Sequence, residues 1–473
     1  MKFKLLHDET RKQHFSKLSK IIFLLLLCCS QANSQKNLSV KIFGASGNGL
    51  IDDTAYIQAA IDSGYKSKSP VFIPAGTYMV SNIIIKTSLI GSPGTIIKKI
   101  KTKQTEPYKF CNVNKSQNLQ ISNVTFDGSV GLDSHGKTNS GSIPLHVYNS
   151  QNIEIKNCSF KNSVMSGLRV EASRIINIIN CISEGSRGIY GDGYYFSSSS
   201  KIQVINCVAS DYWRIGFVTE KNSYDATFDS CTAKNGTHAS ILSGGIEYNG
   251  GFWFENSANI RAINCLSKNN THWGFTATTG KRVSEIDTAK RSIFTFKNCV
   301  SENNPNGFYL GSAGKPVEIT TINCKALNVV RGFNIKSRST DDIFRLDSSL
   351  VKMIPLSPTS ANAVAFNWES TDNNQTSPFR KSVKIAKLFI SDAYIEYQKP
   401  ILENVLLSKL NNNGDISTYA GGSLQIEIKN VRNSLSHKNL IIKSRRGNPF
   451  YKLNNVEADP RFIRQGSVLP NNK

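Results

Sequence analysis

The sequence predicts an all-β solenoid, a parallel β-helix opened by a short capping helix, and two interleaved repeats carry that reading. A four-residue phrase recurs as Pro144-Leu145-His146-Val147, Gly167-Leu168-Arg169-Val170, Gly193-Tyr194-Tyr195-Phe196 and Gly216-Phe217-Val218-Thr219. It continues as Gly251-Phe252-Trp253-Phe254, Gly274-Phe275-Thr276-Ala277, Gly307-Phe308-Tyr309-Leu310 and Gly332-Phe333-Asn334-Ile335. The glycines lie 26, 23, 35, 23, 33 and 25 residues apart. That is a unit of about 24 residues, lengthened by about ten in two places, and such a period belongs to a solenoid whose coils make a core only by stacking. The second phrase puts an Asn or Ser before Cys158, Cys181, Cys207, Cys231, Cys265, Cys299 and Cys324. Between the phrases apolar and polar residues alternate, as in Ile153-Glu154-Ile155-Lys156, which is a strand period.

The amino terminus stands apart from this pattern. Lys2, Lys4, Arg11, Lys12, Lys17 and Lys20 precede the apolar run 21–27, and Ala32-Asn33-Ser34 offers a small-residue cleavage site. Residues 1–34 thus read as a secretory signal peptide, too short for a permanent span, and the mature protein is expected to be secreted or periplasmic. Without the leader, 51 basic residues face 32 acidic ones, a formal charge of +19. A strongly basic exported protein is suited to a polyanion. Export favours an acidic polysaccharide or oligosaccharide over nucleic acid, and a monomer without a stable membrane span is expected.

Residues 35–80 read as an amino-terminal cap and first coil. In Asp52-Asp53-Thr54-Ala55-Tyr56-Ile57-Gln58-Ala59-Ala60-Ile61-Asp62 an aspartate caps a short helix whose apolar face is Ile57, Ala60 and Ile61. A solenoid needs such a cover, because an open end exposes core and strand edges. Residues 81–340 read as regular coils, and 341–473 as less regular coils with a terminal cap that includes 457–462. The seven cysteines recur at one phase, so stacked thiols point in parallel rather than toward each other. They are expected to be free, buried and hydrophobic in role. Their asparagine neighbours suit a left-handed turn or an amide ladder. No CxxC pair or His/Cys cluster implies zinc.

The phrase FGASGNGLIDDTAYIQAAID (43–62), followed by VFIPAGTY (71–78), resembles the amino-terminal cap of the pectate-lyase-like, right-handed parallel β-helix superfamily. The resemblance implies a right-handed coil and an exported, carbohydrate-active protein. It leaves the chemistry open, since one fold hosts several reactions. The paired-Asp, Gly-His-Gly and Arg-Ile-Lys motifs of polygalacturonases are absent from the central coils. The Lys and Arg motifs of calcium-dependent pectate lyases are not evident either, so no cofactor is named and calcium is left open.

Candidate site residues follow from the period. In Gly-Φ-x-Φ the residue x points away from the core, giving the column His146, Arg169, Tyr195, Val218, Trp253, Thr276, Tyr309 and Asn334 on a face read as open to solvent. Two residues on come Tyr148, Glu171, Ser197, Glu220, Glu255 and Thr278, while Asp192, Arg214, His272 and Trp273 stand before the strands. The two long repeats add His238, Glu247 and Tyr248, then Lys281, Arg282, Lys290 and Arg291. For β-elimination on a uronate, Arg169 is the candidate to neutralise the carboxylate, Tyr195 or His146 the candidate base, and His272 the reserve. Asp192, Arg214, Glu220, Trp253, Tyr248, His238, Tyr309, Lys281 and Arg282 are candidate substrate contacts, since aromatic faces stack on sugars and arginine forks bind carboxylates. Loss of a sugar at C4 makes a lyase, and loss of water makes a dehydratase. A glycoside hydrolase using two of Asp192, Glu171, Glu220 and Glu255, and a glycan-binding β-helix without turnover, are the alternatives.

Overall fold

The computed structural model describes residues 38–100, 109–132, 138–237, 249–279, 291–312, 315–337, 341–353, 364–370, 386–397, 416–420, 424–434, 442–446, 450–454 and 456. The leader and 457–462 lie outside them. The chain folds as a right-handed parallel β-helix with sheets of 15, 14 and 13 described strands. One coil shows the plan. A strand of the 13-stranded front sheet (Leu145–Tyr148) leads to a strand of the 15-stranded sheet (Gln151–Lys156). A short strand of the 14-stranded sheet (Ser159–Lys161) then precedes the next front strand, Ser166–Glu171.

Both repeated phrases have a packing cause. The first Φ of the glycine phrase points inward, where Tyr194, Phe217, Phe252, Phe275, Phe308 and Phe333 form one stack with ring centroids 4.6–4.9 Å apart. The glycine before it is required by space. A Cβ on Gly167, Gly193, Gly216, Gly251, Gly274 or Gly307 would stand 2.5–2.9 Å from the carbonyl oxygen of the next glycine in the column. Backbone cannot yield there, so Gly307→Ala, whose Cβ would also lie 2.7 Å from that of Ala326, is expected to cost about 1–3 kcal/mol. A lowered thermal midpoint with unchanged circular dichroism at room temperature is the check.

The described cysteines are free and buried, as their shared phase predicts, and burial pushes the Cys158, Cys231 and Cys299 thiols well up. Asn157, Asn180, Asn206, Asn264, Asn298 and Asn323 hold φ between 50° and 54°. Their side chains also form amide rungs, such as Asn206 Nδ2 to Asn180 Oδ1 at 2.9 Å and Asn298 Nδ2 to Asn264 Oδ1 at 3.0 Å. Asparagine satisfies both needs, because it tolerates the left-handed region and can donate and accept along the column.

Helix α1 (Thr54–Ser67) covers the first coil with Ile57, Ala60 and Ile61 fully buried. The two aspartates divide the capping work. Asp52 Oδ1 accepts from the Thr54 amide at 2.9 Å. Buried Asp53 occupies the cap position, but its carboxylate accepts from the amides of Ser46 (2.6 Å) and Gly47 (3.0 Å), pinning the preceding loop. Both residues are structural. Among the described residues no helix is long and apolar enough to cross a membrane.

Candidate functional site

The front sheet stacks without slippage, so the phrase in the sequence is the register in space. His146 pairs with Arg169, Arg169 with Tyr195, Tyr195 with Val218, Val218 with Trp253, Trp253 with Thr276, Thr276 with Tyr309, and Tyr309 with Asn334. The column points away from the core as expected, but it is not an open surface. His146, Tyr195, Val218, Trp253, Thr276 and Asn334 are each at most 8 % exposed. Ile215 and Trp273, at the starts of their strands, pack with Tyr195, Val218 and Trp253 in one buried cluster, and Tyr309 packs against it. The alternation rule gives the direction of a side chain and says nothing of what covers it.

At one end of the column the polar groups converge. Glu171 bridges two coils, with Oε2 at 2.8 Å from His146 Nε2 and Oε1 at 2.8 Å from the Arg169 guanidinium. The Arg169 guanidinium lies 4.0 Å from the centroid of the Tyr195 ring. Lys109 completes the group, with Nζ 3.5 Å from His146 Nε2 and 3.9 Å from Glu171 Oε2. A carboxylate only accepts, so His146 Nε2 carries a proton toward Glu171 and neutral imidazole keeps its lone pair on Nδ1.

The charges follow from these contacts. Burial pulls the His146 pKa below its ordinary value, outweighing the Glu171 hydrogen bond that supports the cation, and the charges of Lys109 and Arg169 add to the lowering. Burial opposes ionisation of Glu171, yet its hydrogen bonds from His146 and Arg169 hold it far below the usual carboxylate range. Burial, with the neighbouring Glu220 charge, pushes the Tyr195 phenol up. Tyr195 is therefore a proton donor near neutrality, and the imidazole is the free base. Burial likewise lowers the Lys109 ammonium, partly offset by Glu171.

A second polar group adjoins the first. Arg214 donates to fully buried Asp192 through Nε (2.7 Å) and Nη2 (2.6 Å). Trp253 Nε1 donates to Glu255 Oε2 at 3.2 Å, and burial together with Glu220 raises the Glu255 carboxyl despite that bond.

His272 lies against Trp273, ring centroids 5.0 Å apart, on the coil of Thr276. That is three coils from Tyr195, about 14 Å at about 4.8 Å per coil, so it does not join the Arg169 group. His238, Tyr248, Lys281 and Arg282 lie outside the described residues. Lys109 carries no signal in the sequence because its coil lacks the phrase. Its neighbour Phe110 precedes Cys111-Asn112-Val113, and only the pairing of Asn112 with His146 reveals the phase. Among the described residues no three His, Cys, Asp or Glu side chains converge as a metal site would require.

Residues 37–243 match the model of the rhamnogalacturonase A/epimerase, pectate lyase-like family. Over that part, somewhat less than half of the chain, the protein is similar to the pectate-lyase-like family, and its fold is the right-handed parallel β-helix. Alginate lyase 7 of Azotobacter vinelandii is 36 % identical over 107 residues, 19 % of this chain and 12 % of that protein. The chain spans 12–26 % of the length of the first curated relatives it matches. Two solved structures share the fold at 14 % identity. The amino-terminal fragment of bacteriophage phi29 gene product 12 has a TM-score of 0.59, covering 93 % of this chain and 73 % of its own. The A-module of mannuronan C-5 epimerase AlgE6 of Azotobacter vinelandii has a TM-score of 0.51, covering 90 % and 100 %.

Proposed function

We propose that this protein is an exported enzyme that removes the C5 proton of a uronate residue in an acidic polysaccharide or oligosaccharide and completes a β-elimination. The observation that carries the proposal is the bridge made by Glu171, which fixes a neutral imidazole and a guanidinium on adjacent coils, next to a protonated phenol. Arg169 keeps N–H donors beyond the one given to Glu171, and these neutralise the substrate carboxylate and acidify C5–H. His146 Nδ1 takes the C5 proton as its electron pair forms the C4–C5 double bond. The C4–O bond breaks, and Tyr195 gives its proton to the departing oxygen. A sugar leaving group makes the enzyme a lyase, and water makes it a dehydratase. The mannuronan epimerase and alginate lyase among the similar proteins are consistent with chemistry at C5.

One observation favours a second reading. Glu255, with its raised pKa, ends the strand beside the one that Glu220 ends, and an acid–base carboxyl pair is what glycoside hydrolysis uses. Incubation with alginate, polygalacturonate and their oligomers separates the readings. Elimination produces the ultraviolet absorbance of an unsaturated uronate, and mass spectrometry then distinguishes chain cleavage from loss of water. New reducing ends without that absorbance would establish hydrolysis, and no product from any substrate would leave a binding protein.

The pH profile carries its own prediction. A base must be deprotonated, so the acid limb of kcat/KM should fall below about pH 6.5, the ordinary histidine value, because His146 is depressed. Glu171→Gln removes a charge that favours imidazolium, so the limb should move to still lower pH. An amide can also donate to Nε2 and favour the wrong tautomer, so kcat should drop by about 10². An unshifted limb with unchanged kcat would remove His146 from the role of base.

A further inference from the structure

The outward column of the 15-stranded sheet is polar for eight coils and then changes character. It runs Gln120, Glu154, Asn177, Gln203, Thr227, Arg261, Thr295 and Thr320, each paired with the next in register. After Thr320 come Arg345, Phe389, Glu427 and Lys452. Phe389 is the single aromatic residue of this column among the described residues. The change coincides with a concavity of about 340 Å³, lined among others by Thr320, Arg345, Asp347, Phe389, Glu427 and Lys429. It lies on a different sheet from His146 and Arg169.

We infer that this concavity is a second glycan site, which holds a uronate-bearing chain away from the front sheet; the choice of a uronate rests on the proposed function. Its parts are already oriented. The Arg345 guanidinium sits 4.7 Å from the Phe389 centroid and 3.8 Å from Glu318. Asp347 Oδ1 accepts from Ser391 Oγ at 2.9 Å, and Glu427 Oε1 is 3.5 Å from Lys452 Nζ and 3.2 Å from Asn454 Nδ2. Each carboxylate has lone pairs left for sugar hydroxyls. The half-buried Phe389 ring offers an apolar surface to the C–H groups of a pyranose. Exposed Lys429 and Arg345 supply the positive charge for a uronate carboxylate. A volume of this size is at the small end of ligand pockets and matches one or two sugar units.

Affinity electrophoresis through gels containing alginate or polygalacturonate tests the inference. The wild type should be retarded, and Phe389→Ala and Lys429→Glu should each weaken retention at least about fivefold, the effect of losing about 1 kcal/mol. Both side chains face outward, and a circular dichroism melt matching the wild type confirms that each variant folds. Turnover of a trisaccharide, too short to reach both sheets, should be unchanged in both variants. Absence of retardation in the wild type, or full retardation in both folded variants, would overturn the second site. Retardation lost in the variants, with no turnover of any uronate by the wild type, would leave the second site standing and remove the proposed reaction.

Discussion

Arg169→Ala should lower kcat by about 10²–10³ on any uronate substrate that the wild type cleaves, with a smaller change in KM. The effect belongs to the transition state, because charge on the uronate carboxylate grows as the C5 proton leaves, and loss of one preorganised donor at such a point costs about that much. Arg169→Lys restores the charge without the planar fork and should recover only part of the rate. The substitution also releases Glu171. That carboxyl is held low by His146 and Arg169, so its folded pKa should rise toward the ordinary carboxylate value once the guanidinium is gone. A depressed carboxylate stabilises the fold above its unfolded pKa and loses that contribution as pH falls through the folded pKa. The melting deficit of the variant should accordingly be present at neutral pH and shrink in acid. Initial rates by ultraviolet absorbance, beside melts at two pH values, measure both parts. Retention of full kcat would take Arg169 out of the chemistry.

The order of this site could be read from the sequence because a parallel β-helix translates sequence phase directly into position. The repeated phrase alone makes His146, Arg169 and Tyr195 neighbours, and the register places them on consecutive coils. Three things were not legible. Periodicity cannot report what packs against a face, and Ile215 and Trp273 join the buried cluster from strand starts that the repeated phrase does not mark. The phrase also cannot mark coils that lack it, which is how Lys109 was missed. Finally, composition offers carboxylates without choosing their partners. Glu171 is one of four carboxylates offered to a hydrolase by the sequence, and its contacts with His146 and Arg169, each at 2.8 Å, are visible only in the structure.

Arg214→Ala should destabilise the protein by about 3–5 kcal/mol at neutral pH, the usual cost of leaving one partner of a buried ion pair alone. Asp192 is fully buried and receives both its bonds of 2.7 and 2.6 Å from this one guanidinium. Burial already raises the Asp192 carboxyl against the pull of Arg214, and removing the arginine should raise it further. A carboxyl whose folded pKa exceeds its unfolded pKa favours folding when protonated. The deficit should therefore be largest above the new folded pKa and decline as pH falls through it. A double variant, Asp192→Leu with Arg214→Met, removes both charges and should regain most of the lost stability, which a simple loss of packing would not. Thermal midpoints of the three proteins at pH 7 and near pH 4.5 provide the measurement. Equal midpoints for the single variant and the wild type at pH 7 would refute the claim. The consequence reaches the site, because Asp192 begins the strand that carries Tyr195 three residues later. A carboxylate seeking water at that point would draw the strand out of the register that sets the phenol beside Arg169.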